Sequence, residues 1–258
     1  MEFDTGSPNI ARVYDYMLGG KDNFAADREQ AGQLLEIYPL IAQMARENRS
    51  FLERAVAYTA GTGIGQFIDV GAGLPTSPNT HEVAQWKNPG ARVAYVDNDP
   101  MVISHARHLL ARAAGVAAVS GDLTDPDAIL ASPELAAVID LAQPVCVLLV
   151  SVLHFLDGAA AARVTSAFTA AMAPGSYLVI SAGTVTDPGL IQELSRAYNA
   201  AHGYNHAPGD IKGYFEGLEL VPPGLTDARV WVPGADALEL PPRPAGFLAG
   251  VARKPAAG

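Results

Sequence analysis

Three acids and a glycine turn are the residues of this sequence whose types and spacing suit chemistry. Asp69 opens "DVGAGLPT", Asp97 lies in "YVDND" and Asp122 lies in "SGDLTD". Each stands at the end of a short strand-like run, and in doubly wound sheets ligands bind at the carboxyl ends of the strands. Gly71 and Gly73, with Ala72 between them, let the backbone approach a ligand where a side chain would collide. A dinucleotide-binding version of this turn needs a further glycine, but Pro75 and Ser77 occupy the two candidate positions and no basic residue lies near. The expected ligand therefore carries no phosphate.

The acids sharpen that reading. Asp97 follows the glycine turn at the spacing where an acid accepts both hydroxyls of a ribose. Asp122 can accept from an exocyclic amine such as that of adenine, and Asp69 can hold a cationic amino group. Asn98 and Leu123 flank these acids and are counted as contacts with them. A ribose, an adenine and an ammonium without phosphate describe S-adenosylmethionine. The same acids have plainer uses: Asp97 as a turn residue beside a capping Asp99, Asp122 in a Gly-Asp turn, Asp69 as a hydrogen-bonded structural acid.

His154, in "SVLHFLDG", is the candidate general base, because imidazole takes a proton from a hydroxyl near neutral pH. It follows the most apolar run in the chain, as does Ser151, which is counted with the cofactor contacts. A histidine satisfied by backbone near the sheet edge would read the same way. His202 and His206, with Tyr198 and Tyr204, fall on a late loop that could shape an acceptor pocket or lie on the surface. His81 belongs to a helix start where Asn79 and Glu82 have capping-box spacing. No pair of histidines has a metal-ligand spacing, so no residue is assigned to a metal.

A second polar stretch, "YDYMLGGKDNFAADRE", precedes every strand. Its Gly-Gly-Lys is not a phosphate loop, since Asp15 and Asp22 stand where a glycine and a Ser or Thr are required. The expectation is a lid: Tyr14 and Tyr16 as walls, Gly20 for close approach, and Lys21 meeting the carboxylate of the cofactor. Arg49, or Arg46 or Asn48, would help from the following helix. The competing reading is a solvated helix start with the tyrosines packed on the core.

The elements that must position these residues alternate. Residues 9–60 carry helical periodicity, with Tyr38-Pro39 dividing it into two helices. "QFIDVGAG" reads as a buried parallel strand, followed by strands at "ARVAYVDND", "VAAVSGD", "PVCVLLVSVLHF" and "SYLVISAG" with helices between them. Asp99-Pro100, Asp125-Pro126 and Ser132-Pro133 are helix starts. This alternation predicts βαβ units and a parallel sheet covered on both faces. "LELVPPGL" and "PAGFLAGVARKP" read as two final strands with no crossover helix, hence antiparallel or apart.

Bulk composition bounds the partners. With 258 residues and 49% hydrophobic content the chain can form one domain burying roughly three quarters of its unfolded surface. A net charge of −10 and the absence of any Lys/Arg run argue against nucleic acid. The lone Cys146 lies in an apolar run and reads as a buried thiol. No apolar span of about eighteen residues and no secretory leader pattern occurs, so a soluble cytoplasmic protein with no membrane partner is expected. The composition does not settle oligomeric state.

"PNIARVYDYMLGGKDNFAADRE", "ARENRSFLERAV", "QFIDVGAGLPT", "HEVAQ", "ARVAYVDNDP" and "VLHFL" together resemble the actinobacterial S-adenosylmethionine-dependent methyltransferases long catalogued as a domain of unknown function. The likeness runs from about Pro8 to Lys254. It implies a Rossmann-like class I methyltransferase fold, with a seven-stranded, mostly parallel sheet whose last strand runs antiparallel between its neighbours. Pro75 departs from the third glycine of the wider class and agrees with this family's own "GLPT". The division expected is a helical cover over residues 1–60 and an α/β core over 61–258. The function expected is methyl transfer to a small molecule, with oxygen as the favoured atom. A non-catalytic cofactor-binding module and a nicotinamide-dependent oxidoreductase are the alternatives; the second should show a G-x-G-x-x-G spacing that is absent.

Overall fold

β1 (Gln66–Val70) is buried along its whole length, as a parallel strand covered on both faces must be. Alternate side chains feed different layers: Ile68 joins a cluster with Val147, Val164, Phe168 and Ile211, while Phe67 joins Phe51, Leu148, Trp231 and Val251 on the other face. The computed structural model describes residues 4–110, 113–197, 203–236 and 238–256. Tyr198 and His202 lie outside them.

Parallel to β1 run β2 (Arg92–Asp97), β3 (Val116–Ser120), β4 (Cys146–Val150) and β5 (Tyr177–Val185). With β6 (Glu219–Leu220), β7 (Thr226–Asp227) and β8 (Ala245–Arg253) they form an eight-stranded sheet in the order β3-β2-β1-β4-β5-β8-β6, with β7 also on β8. The last strand, β8, is antiparallel and sits between β5 and β6, as the family likeness implies. The strand count differs from the expected seven. The stretch "LELVPPGL" supplies only β6, and β7 follows after the turn at Val221–Leu225. Pro222 and Pro223 have no N–H to give a ladder, so one strand becomes two fragments on β8.

The N-terminal region holds three helices where two were expected: α1 (Ile10–Met17), α2 (Ala25–Ile37) and α3 (Ile41–Gly61). The additional break falls at Gly19, whose φ of +83° suits glycine. After it, Gly20 packs so closely on Asp15 that a Cβ would fall 1.9 Å from Oδ1. Asp15 accepts the Asp22 N–H at 3.0 Å and the Asn23 side-chain amide at 2.8 Å. Asp27, wholly buried, accepts from Arg12 Nε at 2.8 Å and from the N–H groups of Phe24 and Asn9 at 2.8 and 2.9 Å. A buried carboxylate with so many donors is satisfied where it stands.

α1 is anchored at its start and at its middle. Its N-cap Asn9 donates to Asp99 Oδ2 at 2.5 Å, just past β2, and Tyr14 OH donates to Ala45 O on α3 at 3.1 Å. The remaining helices are α4 (Thr80–Lys87), α5 (Pro100–Leu110), α6 (Pro126–Leu130), α7 (Pro133–Ala136), α8 (Gly158–Ala171), α9 (Pro188–Ala197) and α10 (Pro208–Gly213). Leu194 of α9 packs with Val13, Met17 and Leu34, which joins α9 to the N-terminal helices. Cys146 is fully buried, and burial pushes its thiol up to about 12.

Candidate active site

A cavity of about 710 Å³ lies at the carboxyl ends of β1, β2, β4 and β5, bordered by residues of α1, α3 and α9. Its first wall is the glycine turn. Gly71 (φ +67°) presses against the segment after β4, where a Cβ would lie 2.3 Å from Val152 Cγ1, so only glycine fits. Gly73 (φ +66°) donates its N–H to Asp97 Oδ2 at 2.9 Å, and Asp99 N–H donates to Asp97 Oδ1, also at 2.9 Å. Asp97 is thereby fixed between two loops, and each oxygen retains a lone pair to accept from a ligand.

Asp69, at the same end, accepts from Thr80 Oγ1 at 2.6 Å through Oδ2. Burial raises its pKa, the Thr80 bond and Arg49 oppose the rise, and nearby Asp97 adds to it. Burial likewise raises Asp97 against the backbone hydrogen bonds it receives. A buried and a half-buried carboxylate, both raised above their ordinary value, form a setting that a cationic ligand stabilises. Arg49 reaches across from α3: its Nη2 donates to Thr76 O at 2.6 Å and to Pro78 O, and its Nε is buried without a hydrogen-bond partner among the described residues. Both patterns suit the amino-acid end of S-adenosylmethionine, which carries an ammonium, a sulfonium and a carboxylate.

Asp122, Leu123 and Asn98 line the far side of this end. Asp122 is exposed and accepts from Thr124 N–H and Oγ1, each at 2.8 Å, bonds that hold its carboxyl below the ordinary value. Ala72 and Tyr14 also line the cavity. Tyr14 OH accepts from Asn48 Nδ2 at 3.0 Å, and Asn48 Oδ1 accepts from Ser181 Oγ at 2.6 Å. Ser151 sits beside them at φ +60°, the one positive value of a non-glycine residue among those described. Its N–H donates to Ser181 O at 3.0 Å, which holds a conformation that L residues seldom adopt.

His154 stands in a 3-10 turn, Leu153–Phe155, directly after β4. Its ring lies 4.3 Å from that of Phe155 and 6.0 Å from that of Phe247, centroid to centroid. Nδ1 is shielded and unpartnered among the described residues. Burial, with His206 adding, pushes the pKa of His154 down to about 4, so the ring is neutral at pH 7. His206 is buried under the same turn: Nε2 meets Leu153 O at 3.1 Å and Nδ1 meets Tyr214 OH at 2.7 Å.

Beyond His154 the cavity changes character. Gly183, Thr184 and Val185 of β5, Ala245 and Phe247 of β8, Ile191 and Leu194 of α9, and Tyr38, Ile41 and Met44 line it. None of these was singled out from sequence as a site residue, and none belongs to a motif. Tyr204 and Asn205 also line this end. Asn205 is held there by side-chain bonds to Val185 N–H at 2.8 Å and Val185 O at 2.9 Å.

Two expected contacts are placed elsewhere. Gly20 and Lys21 do not line the cavity; Lys21 is exposed, and Gly20 is packed on Asp15. The glycine pair serves the turn around the Asp15 carboxylate, which directs the lysine to solvent. Tyr16 is likewise exposed, at 37%. No described helix is long and apolar enough to cross a membrane.

Comparison with known proteins agrees with this geometry. The S-adenosyl methyltransferase family model matches residues 1–255. A protein of Thermobifida fusca YX described as a candidate methyltransferase is 43% identical, with a TM-score of 0.90 over 98% of this chain and 97% of its own. A DUF574 family protein from Streptomyces avermitilis MA-4680 is 38% identical, with a TM-score of 0.89 over 98% of this chain and 99% of its own. Human N-acetylserotonin methyltransferase, solved with S-adenosylmethionine, shares the fold alone: 16% identity and a TM-score of 0.52, over 97% of this chain and 64% of its own. No curated protein matches. With its Rossmann-like sheet, its glycine turn and a match along nearly its whole length, the chain belongs to the S-adenosyl methyltransferase family and is an S-adenosylmethionine-dependent methyltransferase.

Proposed function

We propose that the protein methylates a small molecule on oxygen, with His154 as the general base and residues 1–60 acting as a cover over the core. One observation carries this reading: a single cavity runs from Asp97 to Phe247 and passes His154 on the way. In the sheet order, β2 and β5 are separated by β1 and β4, three interstrand steps or about 14 Å. That span, with a volume inside the range of about 300–1,000 Å³ typical of small-molecule sites, suits a cofactor at one end and an acceptor at the other.

The bound S-adenosylmethionine supplies an electrophilic methyl group on a sulfonium, and S-adenosylhomocysteine is left after transfer. Asp97 would receive the ribose hydroxyls on the lone pairs that Gly73 and Asp99 leave free. Asn98, Asp122 and Leu123 would flank the adenine. Arg49 would take the carboxylate role expected of Lys21, and Asp69 would face the ammonium. Ser151, Gly71, Ala72 and Gly73 would contribute backbone at the strand ends, and Tyr14 a wall under α1. His154, neutral at pH 7, is able to accept the acceptor's hydroxyl proton, and its position past β4 lies between the two ends.

Calorimetry with S-adenosylhomocysteine, followed by an acceptor screen that reads its release from S-adenosylmethionine, tests the reading. Binding together with release in the presence of hydroxyl-bearing acceptors is the expected result. Binding with release by amine or thiol acceptors alone would refute oxygen as the target.

A further inference from the structure

The acceptor end of the cavity is chemically one-sided. Among the described residues that line the cavity, Arg49 is the sole Lys or Arg, and its guanidinium is tied to the carbonyls of Thr76 and Pro78 at the opposite end. The five residues between the described stretches, 198–202, include no Lys or Arg either. The lining acids are Asp15, Asp69, Asp97, Asp99 and Asp122, and none comes from β5, β8 or α9. An anion placed among Val185, Leu194 and Phe247 would lose its hydration and meet no Lys or Arg among the described residues. The net charge of −10 adds long-range repulsion.

The floor of this end has a specific shape. Gly183 lies within β5, a strand otherwise built from residues with side chains, and lines the cavity. A Cβ added there would stand 3.7 Å from His154 Nδ1 and 3.9 Å from Phe247 Cε1. The bare backbone is thus flanked by two rings, and a glycine inside a strand often marks a close approach by a ligand. Those distances are ordinary contacts, so the fold itself would accept an alanine.

The geometry points to an acceptor that is uncharged and has a flat apolar body, laid over the bare backbone of Gly183 against the edges of His154 and Phe247, with its hydroxyl toward the His154 ring. This rests on the methyltransfer reading above and adds the substrate class and the residue that selects it. Gly183 is a specificity-determining residue, since any side chain there would stand up into the space that the flat body needs.

The test uses the full chain saturated with S-adenosylhomocysteine, whose binding is measured first. Failure of that first step would refute the cofactor reading, independently of any acceptor measurement. Calorimetry then compares 2-naphthol with 6-hydroxy-2-naphthoate, an anion of similar shape, on wild type and on Gly183→Ala. The expected result is binding of 2-naphthol to wild type, at least about tenfold weaker binding of the naphthoate, and about tenfold weaker binding of 2-naphthol to Gly183→Ala. S-adenosylhomocysteine affinity should stay within about twofold in the variant, which also reports that it folds. Absence of naphthol binding, equal or tighter binding of the naphthoate, or unchanged naphthol affinity in Gly183→Ala would each overturn the proposal.

Discussion

At the β2 end of the cavity each oxygen of Asp97 receives a backbone N–H, whereas at the β5 end Gly183 offers no side chain and His154 Nδ1 has no partner among the described residues. The first end is polar, locally wired and preset; the second is largely apolar and shaped by side chains from five separate regions. The difference suits two tasks. A cofactor common to many enzymes needs a fixed set of donors and acceptors, while an acceptor is chosen by volume and charge. Substitutions should therefore divide cleanly, with cofactor affinity moved at one end and acceptor kinetics at the other.

The largest effect is expected at the junction. His154→Phe should lower kcat for a hydroxyl acceptor at least about 100-fold, the lower bound for loss of a general base, and leave S-adenosylhomocysteine affinity unchanged. Equal loss of both would break the division. Next, Asp97→Asn should weaken S-adenosylhomocysteine about 10- to 100-fold, because it removes charge-assisted bonds and turns an amide donor toward a backbone N–H. Calorimetry would read it.

Tyr214→Phe should lower stability by about 1–3 kcal/mol in denaturant titration, since His206 Nδ1 would be buried without a partner. Because His206 also holds Leu153 O, the acceptor KM should rise while cofactor affinity does not. A pH titration of stability sharpens the same end. The folded pKa of His154 is depressed from 6.5 to about 4, so between these values the unfolded chain binds the proton that the folded chain refuses. The His154 contribution is present above pH 6.5 and is lost as pH falls toward about 4; the loss should shrink in His154→Phe. The smallest effect is expected for Lys21→Ala: cofactor affinity within about twofold, since the side chain is exposed and away from the cavity.

Legibility in the sequence divides along the same contrast. Asp69, the glycine turn and Asp97 were legible because strand ends, turn glycines and their spacing are local patterns that a parallel sheet brings together. The strand and helix alternation was legible for the same reason. The proposed acceptor wall was not: Tyr38, Val185, Leu194 and Phe247 meet only after β8 inserts beside β5 and α9 packs on the N-terminal helices. Lys21 misled because a turn that closes on a buried carboxylate looks, in one dimension, like a loop that approaches a ligand. The extra strand arose where Pro222 and Pro223 interrupt pairing that hydrophobic pattern alone would continue.

A crystal structure of the S-adenosylhomocysteine complex puts the cavity's division of labour to direct test. The expected density has the ribose hydroxyls on Asp97, the adenine beside Asn98 and Leu123, the amino-acid end toward Arg49 and Asp69, and open space above Gly183. A nucleoside lying instead between Phe247 and Leu194, with Asp97 free, would contradict it.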